Sequence, residues 1–387
     1  MTPERLAQLT RLRRDLHRIP EVSGTEEKTA TRIAAYLGDR SPDTLVTCLG
    51  GHGVAAVFEG VKDGPTVMIR CELDGLPIPE QSAAEYRSIH DGQGHLCGHD
   101  GHMVMVAGLA DHLVQQRPAC GRVVLLFQPA EETGKGAAAV IADPQFQWIK
   151  PDYSFALHNY PGLARGQIAI CTGAANCASR GVRLRFKGKT SHAAAPEDGR
   201  SPARAMTRLM SSLVALGPGG DMGPDYALVT LTHAWLGEAT FGIAPGEAEI
   251  WLTLRTVTDE RMSDLIADVT DEARRACKDE RLEYSVSFDD VFDACTNHPE
   301  AAEVLINSAG SMGYHPEIWA IPQPWSEDFG QFSKVSKTAM FWLGAGEDMP
   351  QLHNPDYDFP DEIIPVGVAV FTGAIDAILN KPRSGNR

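Results

Sequence analysis

Gly94-His95-Leu96-Cys97-Gly98-His99-Asp100-Gly101-His102 places three histidines, a cysteine and an aspartate within nine residues, with two glycines between them. No periodic core pattern requires that mixture. A tight, backbone-permissive turn carrying metal-ligand side chains does. Cys97 and His99 stand at i and i+2, so in an extended segment they point the same way and one cation takes both. The stretch therefore reads as half of a metal site. The rest of the chain is the scaffold that brings up the other half.

Working outward, Thr66–Glu72 (TVMIRCE) is an apolar run that delivers Asp74 to a loop, and Arg122–Phe127 (RVVLLF) is a second run that ends before Glu131-Glu132. Tyr153–Leu157 is a third, ending at His158-Asn159. In α/β proteins ligands gather at the carboxyl ends of strands. Three strands ending in ligand-type residues thus point to one site. Helical periodicity over 3–18, 25–38, 103–115, 299–311 and 363–379 alternates with strands at 45–50, 54–58 and 338–343. This predicts an α/β fold, a mostly parallel sheet flanked by helices.

From about residue 178 the pattern changes to half-exposed alternation. VRLRFK (182–187), 228–235, EIWLTLR (249–255) and 282–288 read as strands, with helices near 201–215 and 259–278. The chain is expected to divide into a catalytic domain over 1–177 and 291–387 and an inserted α+β lid or dimerisation domain over 178–290. An open sheet edge in such an insert often pairs with a partner subunit. The final KPRSGNR (381–387) reads as a frayed tail.

The chain of 387 residues has 43% hydrophobic and 22% charged residues, ordinary values for a globular protein. Its formal net charge of −16 argues against nucleic acid or an anionic membrane as partner. There is no signal-type apolar run at the start, and no stretch reaches the ~20 apolar residues of a membrane span. Eight scattered cysteines then predict reduced, mostly buried thiols in a cytoplasmic protein. Among them only Cys97 sits beside other ligand types.

Glu131 and Glu132 are neighbours. Alternation in an extended chain sends one carboxylate to a metal and the other toward substrate, a division that suits a metal hydrolase. His158 and His353 each lie in a His-Asn dipeptide where a strand or Gly-rich loop ends. Asp74 reads either as a turn residue or as a group that orients His99.

Several blocks together carry a resemblance: LHRIPEVSGTEE (16–27), ELDGLPIPE (72–80), HLCGHDGH (95–102), FQPAEETGKGA (127–137), ALHNYPG (156–162), KGKTSHAAAPEDGRSP (187–202), SEDFG (326–330) and LHNPDYDFPDE (352–362). With these in order, the chain resembles the dinuclear metallo-amidohydrolases that include aminoacylase, hippurate hydrolase and the indole-acetyl-amino-acid hydrolases. More distantly it resembles metal carboxypeptidases and dipeptidases with a dimerisation lid. The resemblance implies two divalent metals held by Cys97, His99, Glu132, His158 and His353. It also implies Glu131 as general acid/base and Asp74 as the supporting aspartate. His192 matches a lid histidine that serves the partner subunit's site, and Arg255 an arginine that holds a substrate carboxylate.

A thiolate favours zinc, and mixed N/O ligation admits manganese, cobalt or nickel. The implied substrate is a small amide such as an N-acyl amino acid, and the implied assembly is a homodimer. Two features depart from the pattern. Glu72-Leu73-Asp74 lacks the His-x-Asp of the peptidase branch, and Gly242 stands where the lid commonly carries asparagine. The rival expectations are a dipeptidase or carboxypeptidase on the same scaffold and a metal-retaining protein without activity.

Overall fold

The computed structural model describes residues 1–380, so the tail expected at 381–387 lies outside the described residues. Two compact units form. The first takes residues 1–175, 296–320 and 328 onward; the second takes 176–295 and 321–327.

The first unit opens with helix α1 (Pro3–His17), set by Thr2, whose hydroxyl accepts from Arg5 N, and by proline at its first position. Helix α2 (Glu27–Gly38) follows, then strands β1 (Thr44–Leu49), β2 (Gly53–Glu59) and β3 (Thr66–Glu72). Helix α3 (His99–Gln115) leads to β4 (Arg122–Gln128), and β5 (Tyr153–Pro161) and β6 (Ile168–Cys171) follow. Strands Glu317–Trp319 and Lys337–Gly346 complete an eight-stranded sheet. Its order is β1, β2, β4, β3, β5, Lys337–Gly346, β6, Glu317–Trp319.

The sheet is mixed. Its centre is parallel, β3 pairing with both β4 and β5, while β1–β2, β2–β4 and β6 with Lys337–Gly346 are antiparallel. All seven residues of β3 are buried, as a central parallel strand covered on both faces demands. Val67, Ile69 and Cys71 face the core that α1, α2, α3 and the helices Pro299–Ser311 and Ile364–Leu379 share.

The chain leaves β3 for β4 on one side and then crosses to β5 on the other. The carboxyl end of β3 is therefore the point where the connections diverge, the place such sheets reserve for ligands. Glu72 pairs with Gln128 across β3 and β4. Glu72 and His158 lie equally far beyond the last β3–β5 pair, Ile69 with Phe155, so the three strand ends are level.

Two strand ends differ from expectation. β5 runs on through His158-Asn159 to Pro161, and the glycines at 344–346 continue a strand instead of breaking it, because the parallel partner keeps pairing that far. No membrane-length segment was expected, yet Asp361–Leu379 is long and apolar enough for one; half of it is buried inside the fold.

The second unit is a four-stranded antiparallel sheet ordered Ala227–Leu236, Glu247–Thr256, Ala178–Lys187, Glu283–Phe292. Helices Ala203–Ala215 and Asp259–Asp279 bury their apolar stripes on one face. The other face carries Arg183 over the Trp251 ring and Arg185 beside Glu249. Residues 321–327 return to this unit, with Cys177 N donating to Gln323 O at 3.1 Å.

Candidate metal centre

The turn that opens α3 is built on Gly98. Its φ of 93° is left-handed, and a Cβ there would lie 2.4 Å from Asn159 Oδ1. The expected extended Cys97-x-His99 is therefore absent. His99 is already the first residue of the helix, and the left-handed glycine, not strand alternation, turns both side chains inward. The ligand atoms of Cys97, His99 and His158 lie within 4.8 Å of one another, with Cys97 Sγ 3.4 Å from His158 Nε2.

Both imidazoles are oriented in the same manner. His99 Nδ1 donates to Asp74 O at 2.8 Å, and His158 Nδ1 donates to Asn159 O at 2.9 Å. Each ring thus presents Nε2, the arrangement in which an outer hydrogen bond fixes a metal-binding tautomer. Buried His99 Nε2 makes no hydrogen bond, and it stands 3.9 Å from Oε2 of Glu131 and from Oε1 of Glu132.

The two glutamates do not alternate as an extended pair would. They sit in a turn that follows Ala130 at φ 52°, and both carboxylates approach His99. Ala130 N donates to Glu26 Oε1 (2.8 Å) and Glu132 N to Asp74 Oδ2 (3.0 Å), which holds the turn against the sheet. Glu132 also groups with Cys97 and His353, all within 4.8 Å, and His353 Nε2 is 3.6 Å from Glu132 Oε2. His353 has a φ of 66° and is fixed by its N–H on Leu96 O at 2.8 Å. Cys97 and Glu132 each belong to two of the candidate groups, and His99 to three. Donors shared between overlapping groups are the arrangement that two adjacent cations need.

The electrostatics fit a cation. Burial, then the charges of Glu132, Glu131 and Glu72, pushes the Cys97 thiol well above its ordinary value. Burial works to lower His99, but the Asp74 hydrogen bond and the charges of Glu72, Asp74 and Glu132 outweigh it and raise the ring to about 10. Burial and His102 hold His158 well below its ordinary value, so it is a neutral donor. The buried Nε2 of His99 makes no hydrogen bond and lies among the ligand-type atoms of Cys97 and His158.

Asp74 is fully buried and ties the parts together, with Oδ2 accepting from Ser23 Oγ at 2.7 Å as well as from Glu132 N. His102 is the fourth residue of α3, one turn inside the helix. Its Nδ1 donates to Glu72 Oε2 and its Nε2 is at Asn159 Oδ1, each 2.6 Å, so neither nitrogen is presented to a ligand. His95 is buried, its ring nitrogens make no hydrogen bond, and burial lowers it to about 4. It belongs to none of the ligand groups among the described residues.

Sequence reasoning overlooked the supports at Arg70, Glu72, Asn159 and Asp328. Glu72, Asn159 and Asp328 stand inside the blocks quoted above, and Arg70 and Glu72 are charges in an otherwise apolar strand, where a central position buries charge only when it is paired.

His192 and Arg255 belong to the second unit. His192 is exposed in a two-residue strand paired with Ile243–Ala244, and its Nδ1 accepts from Ala194 N at 3.0 Å. Arg255 Nη1 donates to Pro324 O (2.9 Å) and Ser326 Oγ (3.2 Å). Burial lowers the Arg255 pKa, opposed by the charges of Cys177 and Tyr226. Gly242 has no atom within 4 Å of a built Cβ, so packing within the chain does not dictate glycine there.

The model of "Peptidase family M20/M25/M40" matches residues 68–377. An N-acetyldiaminopimelate deacetylase of Oceanobacillus iheyensis is 29% identical over 368 residues, covering 94% of this chain and 97% of that protein. Its counterpart in Shouchella clausii is 30% identical over 388 residues, covering 98% and 100%. Among solved structures the Bacillus subtilis YXEP protein, described as a dinuclear metal binding peptidase, superposes with a TM-score of 0.84 at 25% identity, covering 98% of this chain and all of that one.

Proposed function

The chain belongs to peptidase family M20/M25/M40, and from that premise we propose that it hydrolyses the amide bond of an N-acyl amino acid at a pair of divalent cations. It is a metal-dependent hydrolase of amide bonds. The observation that carries the finer reading is the shared donor set. Two imidazoles are locked by backbone carbonyls with Nε2 inward, beside a cysteine and a glutamate that each serve two groups.

Cys97, His99, Glu132, His158 and His353 would hold the cations. The thiolate favours zinc, and the nitrogen and oxygen donors admit manganese, cobalt or nickel. When bound, such a pair polarises the scissile carbonyl and makes water acidic enough to attack near neutral pH. Glu131 takes the proton of the attacking water and gives it to the departing amine. Asp74 keeps His99 in its tautomer while this happens. His192 of the partner subunit stabilises the developing oxyanion, and Arg255 grips the substrate carboxylate through paired hydrogen bonds.

The partner subunit enters through the second unit, where strand Ala227–Leu236 stands at an edge of the sheet and only its first residues, at 227–229, are covered by the segment 217–219. Cysteines free of disulfides support a cytoplasmic setting. Names of relatives that act on an N-acetylated amino acid support the substrate class.

The test is amine release from a panel of N-acyl amino acids and dipeptides by metal-reconstituted protein, with Glu131→Gln alongside. Acyl amino acids turn over faster, and Glu131→Gln loses activity by ~10²-fold or more. Faster cleavage of dipeptides would transfer the chain to the peptidase reading. Parental turnover by Glu131→Gln would remove the assigned base.

A further inference from the structure

Beneath the centre lies a guanidinium that none of the chemistry above uses. Arg70 is on β3, 1% exposed, with three of its N–H groups directed at three buried partners. Nε donates to Gln128 Oε1 at 2.9 Å, one Nη to Glu72 Oε1, and the other Nη to Asp328 Oδ1 at 2.5 Å.

Each carboxylate continues upward. Glu72 Oε2 receives His102 Nδ1, and the His102 ring meets His158 edge to face with centroids 4.8 Å apart. On the other side Asp328 accepts from Gln128 Nε2 and from Ala137 N at 2.9 Å, while its own N–H donates to Glu131 Oε1 at 3.4 Å. One arm thus ends on a candidate ligand and the other on the candidate base.

We propose that Arg70 is a positioning residue that sets the His158 wall through Glu72 and His102 and aims the Glu131 carboxylate through Asp328. A buried ion pair is weak evidence of a stabilising role, because desolvation consumes most of its attraction. A planar fork that fixes the angle between two carboxylates is a different asset, and only arginine supplies it; a lysine ammonium is a point donor. Glu72 Oε1 accepts from Arg70 and its Oε2 accepts from His102 Nδ1, so the two oxygens of one carboxylate join the guanidinium to the ring.

The inference rests on the proposed roles of His158 and Glu131, and its test separates the two failures. Cobalt(II) is titrated into the metal-free parent, Arg70→Lys, Glu72→Gln and Asp328→Asn. Visible absorption reports the donor set, circular dichroism reports folding, and kcat and KM are measured separately. Arg70→Lys is expected to fold, to bind cobalt ~10–100-fold more weakly and to lose kcat. Glu72→Gln reproduces the loss of cobalt affinity. Asp328→Asn keeps that affinity and lowers kcat about tenfold or more with KM little changed.

A parent without thiolate-type cobalt absorption overturns the site assignment itself. A parent that binds, with folded variants equal to it in affinity and kcat, overturns the role of Arg70. If Arg70→Lys does not fold, the two one-arm variants decide. Parental behaviour in both, or the two effects exchanged between them, overturns the proposal.

Discussion

Gly98 shows how one residue reconciles two demands. The chain must reverse between Cys97 and His99 so that both side chains reach one volume, and the reversal passes against Asn159, which His102 and the Tyr357 hydroxyl hold in place. A side chain at φ 93° is strained and here also collides with an amide. Gly98→Ala is therefore expected to lower stability by about 1–3 kcal/mol and to weaken metal binding out of proportion to that loss, read by denaturant unfolding and by metal titration on the same samples. Parental metal affinity would show that the turn is not what positions the ligands.

At this scale the residue types were legible and their directions were not. Cysteine, histidine and paired glutamates announce a metal site by chemistry. The period-2 argument for where they point failed at Cys97/His99 and again at Glu131/Glu132. In both places the backbone leaves the extended region through a positive φ, at Gly98 and at Ala130.

At the scale of elements, α1 is tied to α3 by charge. Arg13 is fully buried, with Nη1 on Asp358 (2.8 Å) and Asp100 (3.3 Å) and Nε on Asp361 (2.9 Å). His17 bridges Asp100 (2.9 Å) and Glu80 (3.2 Å). These bonds fix the helix that begins with His99 and the segment that follows His353.

Burial opposes charging of His17, but Asp100 and Glu80 win and raise it from 6.5 to about 9. A raised pKa means that the folded state binds the proton more tightly. The stabilisation is complete below pH 6.5 and is lost as pH rises through 9, and it amounts to on the order of 3 kcal/mol. Burial raises Glu80, yet His17, Ser82 and Ser88 lower it to about 2, so its share fades as pH falls from 4.5 toward 2. Thermal melts of the parent and His17→Gln are expected to differ most near pH 6 and to converge above pH 9. A difference that grows with pH would contradict a charged His17. The LHRIPE motif stands in the sequence, but Asp358 and Asp361 lie 345 and 348 residues from Arg13, and spacing along a chain does not encode such a pairing.

For the whole molecule, the proposed contribution of His192 to the neighbouring subunit's site has a direct consequence. Glu131→Gln and His192→Ala proteins are each expected to be nearly inactive. Mixed after dissociation and reassociation, they recover about a quarter of parental activity, because half of the dimers are hybrids with one intact site. No recovery, together with an active monomer in light scattering, would confine the site to one chain. The division into two units is visible in the sequence as a change of pattern near residue 178. The return of residues 321–327 to the second unit is not, since a short segment without periodicity carries no mark of which sheet it joins.

Composition, periodicity and a handful of blocks were enough to determine the fold class and the family, and to nominate the residue types of the candidate metal centre. Those are local properties: hydrophobic runs need burial wherever they lie, and thiolate, imidazole and carboxylate are ligands by chemistry. Only the tertiary structure decided that the sheet is mixed, that His99 heads a helix, and that two backbone carbonyls set the ring tautomers. It also decided that Arg70 stands under both walls. Those facts depend on groups far apart in sequence reaching one buried place, where an unpaired charge is too costly to keep and each partner is chosen by what surrounds it.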